Sequence, residues 1–275
     1  MKRWLYGESV QGASHVRKDI PCQDSYKKDT YSEEITIIAV ADGHGSESCP
    51  YSKTGSQIAV NTFVKVMKDL LRNFEENQCF LFTYLNREGD TKIAQTIELE
   101  WKRRVWKAHL DNKRVRPVAE DGEVDKSVVY KQYGTTLLGL LVTAEFVFAL
   151  QIGDGDIVYV EQDLTLPVIE ADKILGTETH SLCKMEAWKK AICSVRLRTE
   201  VGPCLYMVST DGFANSYRSE EDFVATCRSY YEMIQEHGFD VVSRNLREWL
   251  KETSELGCGD DTTVVLLYFA PEVME

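Results

Sequence analysis

No apolar run in this 275-residue chain approaches the roughly 20 residues that a membrane-spanning helix requires. The N-terminal stretch MKRWLYGESVQG also lacks the apolar centre of a secretion signal, so no membrane association and a cytoplasmic location are expected. Basic excess is missing too. Thirty-two Lys and Arg stand against 44 Asp and Glu, and a net charge of −12 makes nucleic acid and anionic membrane surfaces poor partners. The eight cysteines (Cys22, Cys49, Cys79, Cys183, Cys193, Cys204, Cys227, Cys258) form no CxxC and no Cys/His pair at zinc spacing; they read as reduced, mostly buried thiols. No glycine is followed by lysine, which rules out a P-loop, and the one GDGD stretch is not a dinucleotide fingerprint. Repeats and low-complexity tracts are absent. What remains is a single globular domain over 1–275, whose 43% apolar content can build a core without disulfide or metal staples.

The most informative stretch is ITIIAVADGHG at 35–45. Six uncharged residues, Thr36 to Ala41, rich in β-branched types, make a strand covered on both faces, and it stops at Asp42. A carboxylate at the tip of a dry strand needs a partner, and a divalent cation tolerates several carboxylates at once. Gly43 and Gly45 allow a sharp turn and a bare carbonyl, with His44 held between them. An ordinary strand-to-turn exit would carry the same residue types, so this stretch does not decide the matter alone.

Along the chain, alternation predicts a strand at 4–10, followed by a polar loop at 12–25 that ends near Asp24. Three- and four-residue spacing predicts helices over 52–77 and 90–110. Residues 111–132 show little periodicity and read as a mobile loop. Strands follow at 135–143 and 146–152, joined as a hairpin, and at 156–161. The pattern breaks over 162–199, which reads as a flap with a short helix near 185–192. A strand at 204–209, a helix capped by Ser219 and ending at Gly238, a helix capped by Asp240 and a last strand at 262–269 complete the reading.

Four strand ends carry the same signature: Asp42-Gly43, Asp154-Gly155, Asp211-Gly212 and Gly259-Asp260. Brought to one sheet edge, these carboxylates repel unless cations bridge them, and hard oxygen donors favour Mg²⁺ or Mn²⁺. In order and context, CQDS (22–25), VADGHG (40–45), YGTTLLGLLV (133–142), IGDGDIVYV (152–160), VSTDGF (208–213) and GDDTTVVLL (259–267) resemble the metal-dependent protein phosphatases of the PPM (PP2C) family. The resemblance spans nearly the whole chain. It implies an α+β fold, a four-layer α-β-β-α sandwich in which two antiparallel sheets are flanked by helices. It also implies a two-metal centre in which Asp42 bridges both ions, the Gly43 carbonyl binds one, and Asp211 and Asp260 complete the other. Asp24 matches the carboxylate that holds metal-associated water, and Asp154 one that forms a weaker third metal site with Asp211.

Two positions depart from that pattern. Gln23 stands where many members have Glu, and Asp19 where they have the Arg that grips the substrate phosphate. Arg17, with His15 as the second candidate, would supply that clamp; the guanidinium fork suits a phosphate dianion better. The expected activity is hydrolysis of phosphoserine and phosphothreonine in proteins, with a water or hydroxide bridging the two cations as nucleophile and His44 as the acid that protonates the leaving oxygen. Phosphorylated proteins are the expected partners of a monomer, and the overall acidity favours basic segments around the phosphate. The other reading is a catalytically inactive scaffold that binds partners. It gives no reason to retain Asp42, Asp211 and Asp260 together, since unmetallated they cost stability.

Overall fold

The computed structural model describes residues 1–75, 77–118, 122–170 and 180–271. Two five-stranded sheets, antiparallel throughout, form the centre. The first runs in the order β1 (Lys2–Val10), β10 (Thr262–Ala270), β9 (Cys204–Ser209), β6 (Asp156–Glu161) and β7 (Leu164–Pro167). The second runs β2 (Ser25–Thr30), β3 (Thr36–Ala41), β4 (Leu137–Val142), β5 (Phe146–Ile152) and β8 (Ile192–Leu197). Period-two alternation divides β3 between two cores. Ile38 and Val40 pack between the sheets with Leu138, Leu140, Tyr206, Val208 and Val265, while Ile37 and Ala39 face the helices with Phe63, Met67 and Trp101. This two-sided burial is why the strand reads as an unbroken apolar run.

Helices α2 (Ser52–Asn73), α3 (Gln78–Glu88) and α4 (Ala94–Asp111) cover the second sheet, and α7 (Glu220–His237) and α8 (Phe239–Leu256) cover the first. The result is the expected four-layer sandwich. At the inner end of α2 the chain approaches the segment before β4 closely: a Cβ at Gly55 would stand 1.9 Å from the Tyr133 carbonyl oxygen. Trp101 Nε1 donates to the Gly55 carbonyl at 3.0 Å, tying α4 to the same point.

Several boundaries differ from the sequence reading. The helix expected over 52–77 ends at Asn73, and Asn77 instead caps α3 by accepting from the Phe80 N–H at 3.2 Å. Helix α3 went unread because it buries only Leu81 and Leu85 and exposes Phe80, which blurs its stripe. A π-helical turn, Gly89–Ile93, precedes α4, so the second expected helix starts at Ala94 and not near Asp90. The 12–25 loop contains α1 (Ala13–Lys18), stopped by Asp19 in the left-handed region at φ 55°. Within 111–132, Asp125 caps α5 (Lys126–Lys131) by accepting from the Ser127 and Val128 N–H groups. The stretch 162–199 holds the edge strands β7 and β8 and a single 3₁₀ turn, Ala187–Lys190, in place of the short helix; residues 171–179 of that stretch lie outside the described residues. Asp240 is not a cap. Gly238, at φ 84°, takes that position, and Asp240 sits in the first turn of α8, where its charge faces the positive end of the helix dipole.

Candidate metal centre

Antiparallel pairing explains how residues far apart in sequence meet. Ser25 pairs with Ala41, so Asp24 and Asp42 leave the second sheet at the same end. In the first sheet Ser209 pairs with both Asp156 and Val264, which places Asp154, the segment after β9 and the segment before β10 at one end too. One carboxylate oxygen each from Asp42, Asp154 and Asp211 lie within 4.8 Å of one another. Asp211 opens the short helix α6 (Asp211–Ala214), which turns the chain away from β9 at once.

The backbone of Asp42 is held on both sides. Its N–H donates to Thr136 Oγ1 at 2.9 Å, and its carbonyl accepts from Thr135 Oγ1 at 2.7 Å and the Thr136 N–H at 2.9 Å. At Gly43 a Cβ would lie 2.7 Å from the Gln23 carbonyl oxygen and 2.9 Å from that of Ser52, so the turn closes only on glycine. Asp24 is fully enclosed. Its Oδ2 accepts from Thr210 Oγ1 at 2.7 Å and Thr263 Oγ1 at 2.8 Å, while its Oδ1 is buried without a hydrogen-bond partner.

Burial and mutual repulsion dominate the electrostatics. Asp42 is pushed well above the usual carboxylate range, first by desolvation and then by the charges of Asp24, Asp211, Asp260 and Asp154. Asp24 rises to about 7 through burial, opposed by the Thr210 and Thr263 hydroxyls and reinforced by Asp261 and Asp211. Asp211 rises to about 7 through burial and the charges of Asp154 and Asp260. No lysine or arginine ion-pairs with Asp42 or Asp211 among the described residues. A hard divalent cation answers this donor set: oxygen ligands only, converging carboxylates and an orphaned buried oxygen at Asp24.

Asp260 stands apart from the Asp42 trio, although its charge is felt there. It groups instead with Asp261 and His15, whose Nε2 is 3.6 Å from Asp260 Oδ1 and whose Nδ1 is 2.9 Å from Asp261 Oδ1. His15 Nε2 also lies 3.7 Å from where a Cβ of Gly45 would be, so it faces the DGHG turn. Arg17 is exposed. It lines a hollow with Arg247, Lys251 and Glu255 of α8, and its Nη2 comes within 3.8 Å of a Cβ placed at Gly259. His44 is half-buried, its N–H donating to the Gly134 carbonyl at 3.1 Å, and it forms part of a cavity wall.

Sequence reasoning missed Asp261. Its Oδ1 accepts from the Gly12 N–H at 2.7 Å and its Oδ2 from the Gln23 N–H at 2.6 Å, which pins the segment that leads into Asp24. The doubled aspartate in GDDTT was the available signal. Lys53 was missed as well; its Nζ donates to the Asp24 carbonyl at 2.6 Å from the first turn of α2.

A two-sheet sandwich with carboxylates gathered at one end defines a candidate metal-binding architecture, and comparison narrows it. The family model for protein phosphatase 2C matches residues 11–251, and the chain belongs to that family. It is 26% identical over 190 residues to serine/threonine-protein phosphatase 3 of Escherichia coli (strain K12), a match covering 67% of this chain and 64% of that protein. The chain thus spans just under two thirds of that relative's length. Among solved structures, it resembles the S. agalactiae serine/threonine phosphatase at 16% identity and a TM-score of 0.59, over 97% of this chain and 99% of that one. It also resembles the catalytic domain of the serine/threonine protein phosphatase PstP in complex with two manganese ions, at 13% identity and a TM-score of 0.57, over 96% and 97%. At such identities these likenesses concern the fold.

Proposed function

We propose that this chain is a metal-dependent phosphatase that hydrolyses phosphoserine and phosphothreonine in proteins. The observation that carries the reading is the convergence of Asp42, Asp154 and Asp211, from three separate strand ends, to within 4.8 Å. Family membership and a relative named a serine/threonine-protein phosphatase support it. In this reading Asp42, the Gly43 carbonyl, Asp211 and Asp260 hold two Mg²⁺ or Mn²⁺ ions, and Asp154 with Asp211 offers a weaker third site. Cations held there would lower the pKa of a water so that hydroxide is available near neutral pH, and would offset the charge of the phosphoryl oxygens.

The protein's own groups do the rest. Thr135 and Thr136 fix the backbone of Asp42, and Thr210 and Thr263 orient Asp24 so that its free Oδ1 can accept a proton from water in the site. His44, one residue past Gly43, protonates the serine or threonine oxygen as it leaves. Between the two candidates for gripping the substrate phosphate, placement supports His15, which faces the DGHG turn and Asp260, over Arg17, which is turned to α8.

The test is phosphate release from phosphoserine and phosphothreonine peptides, with Mn²⁺ and with chelator, in wild type, His15→Ala and Arg17→Ala. Release only with metal, and a raised KM in His15→Ala alone, is the expected result. Release in fully chelated protein would overturn the metal-dependent reading, and a raised KM confined to Arg17→Ala would return the clamp to Arg17.

A further inference from the structure

The net charge of −12 points to basic substrates, but the surface beside His44 points the other way. His44 shares a cavity of about 590 Å³ with Ser46, Lys131, Ser181, Lys184 and Met185, and no carboxylate among the described residues lines it. Three separated stretches build these walls: the turn after β3, the end of α5 and the segment before β8. They are fastened together. Ser181 Oγ donates to the Thr135 carbonyl at 3.0 Å and accepts from the Thr135 N–H at 3.1 Å, and Thr135 in turn holds the Asp42 carbonyl. Cys49 Sγ donates to the Lys131 carbonyl at 3.0 Å, which joins α5 to the turn carrying His44. The cavity is therefore rigidly placed with respect to the metal centre.

Two nearby carboxylates are engaged outside the cavity. Asp125 is engaged as the cap of α5, accepting from the Ser127 N–H and hydroxyl, and Glu186 pairs with Lys189 at 2.7 Å. Glu47 is exposed between Ser46 and Ser48 and does not line the cavity. Lys131 is exposed and makes no ion pair among the described residues. Met185 is 82% exposed and offers an apolar rim on which a side-chain stem can lie.

We propose that this cavity is a specificity pocket for an anionic side chain, a carboxylate or a second phosphate, that flanks the phosphoserine being hydrolysed. Lys131 supplies the charge and the ammonium hydrogen-bond donors, with Lys184 on the same wall. This rests on the phosphatase reading above, and it reverses the substrate preference that net charge alone suggests.

The experiment compares kcat/KM of the manganese-loaded protein on phosphoserine peptides in which each flanking position in turn carries Ala, Glu, Lys or a second phosphoserine. Wild type, Lys131→Glu and Lys131→Ala are used, with p-nitrophenyl phosphate as a substrate that has no flanking residues. Wild type should favour Glu or phosphoserine over Ala by about fivefold at one or more positions, the size of a good exposed ion pair. The preference should shrink at high salt. Lys131→Ala should lower it, Lys131→Glu should invert it toward Lys, and p-nitrophenyl phosphate turnover should stay unchanged in both. A preference for phosphoserine without one for Glu would assign the pocket to phosphate; the converse would assign it to carboxylate. Identical preferences in wild type and Lys131→Glu would overturn the inference while leaving the phosphatase reading standing. No turnover of p-nitrophenyl phosphate by the loaded wild type would remove that reading, and the inference with it.

Discussion

Stripping the metal should make the fold pH-sensitive in a predictable direction. Asp24 is completely buried, and burial together with Asp261 and Asp211 lifts its carboxyl from 3.8 to about 7 in the folded protein. A folded-state value above the unfolded one means that the protonated side chain stabilises the fold. That contribution is complete below the unfolded value and is lost as pH rises through the folded one. Between about pH 5 and about pH 8 this single group removes about 2–3 kcal/mol. In a domain of this size that is a fall of about 5 °C in Tm. Asp42 and Asp211 shift in the same direction for the same cause, so they deepen the trend. The assay is thermal unfolding of the chelated protein across that pH range, repeated with saturating Mn²⁺ and with Asp24→Asn. Chelated wild type should lose stability toward high pH, Mn²⁺ should flatten the curve, and Asp24→Asn should show a smaller slope without metal. A chelated wild type whose Tm does not change from pH 5 to 8, or an Asp24→Asn slope equal to the wild-type one, would refute the reasoning.

Asp261→Ala should destabilise the protein by about 1–3 kcal/mol, because it strands the Gly12 and Gln23 N–H groups; chemical denaturation would reveal it, and an unchanged midpoint would show that water replaces the carboxylate. Gly55→Ala in α2 should also lower stability in the same measurement, although alanine ordinarily gains about 1 kcal/mol over glycine inside a helix, because the new Cβ would meet the Tyr133 carbonyl oxygen at 1.9 Å. For His44→Ala, kcat on a phosphoserine peptide should fall about 10²- to 10⁴-fold, with far less loss on p-nitrophenyl phosphate, whose phenolate leaves without a proton. Equal losses on both substrates would make His44 structural.

Much of this architecture is legible in the sequence wherever an element is buried on both faces. The run Thr36 to Ala41 announces β3 because its two sides enter two different cores, and the Asp-Gly pairs announce the site because they interrupt such runs. Elements that bury little leave no such trace. Helices α1 and α5 are one or two turns long, and β7 and β8 are edge strands with mostly half-exposed or exposed side chains. Asp261 could not be assigned from its neighbours, since the N–H groups it holds lie 249 and 238 residues away. The same distance effect separates the two clamp candidates. His15 and Arg17 are two residues apart in α1, and only the helix geometry turns one to the DGHG turn and the other to α8.

These carboxylates are proposed to hold two divalent cations, and metal stoichiometry tests that without reference to any substrate. Equilibrium dialysis or titration calorimetry of chelator-stripped protein with Mn²⁺ should give at least two ions per chain, and Asp42→Asn, which alters the residue proposed to bridge them, should lose tight binding of both while remaining folded. Binding of fewer than two ions by wild type, or undiminished binding by folded Asp42→Asn, would contradict the account.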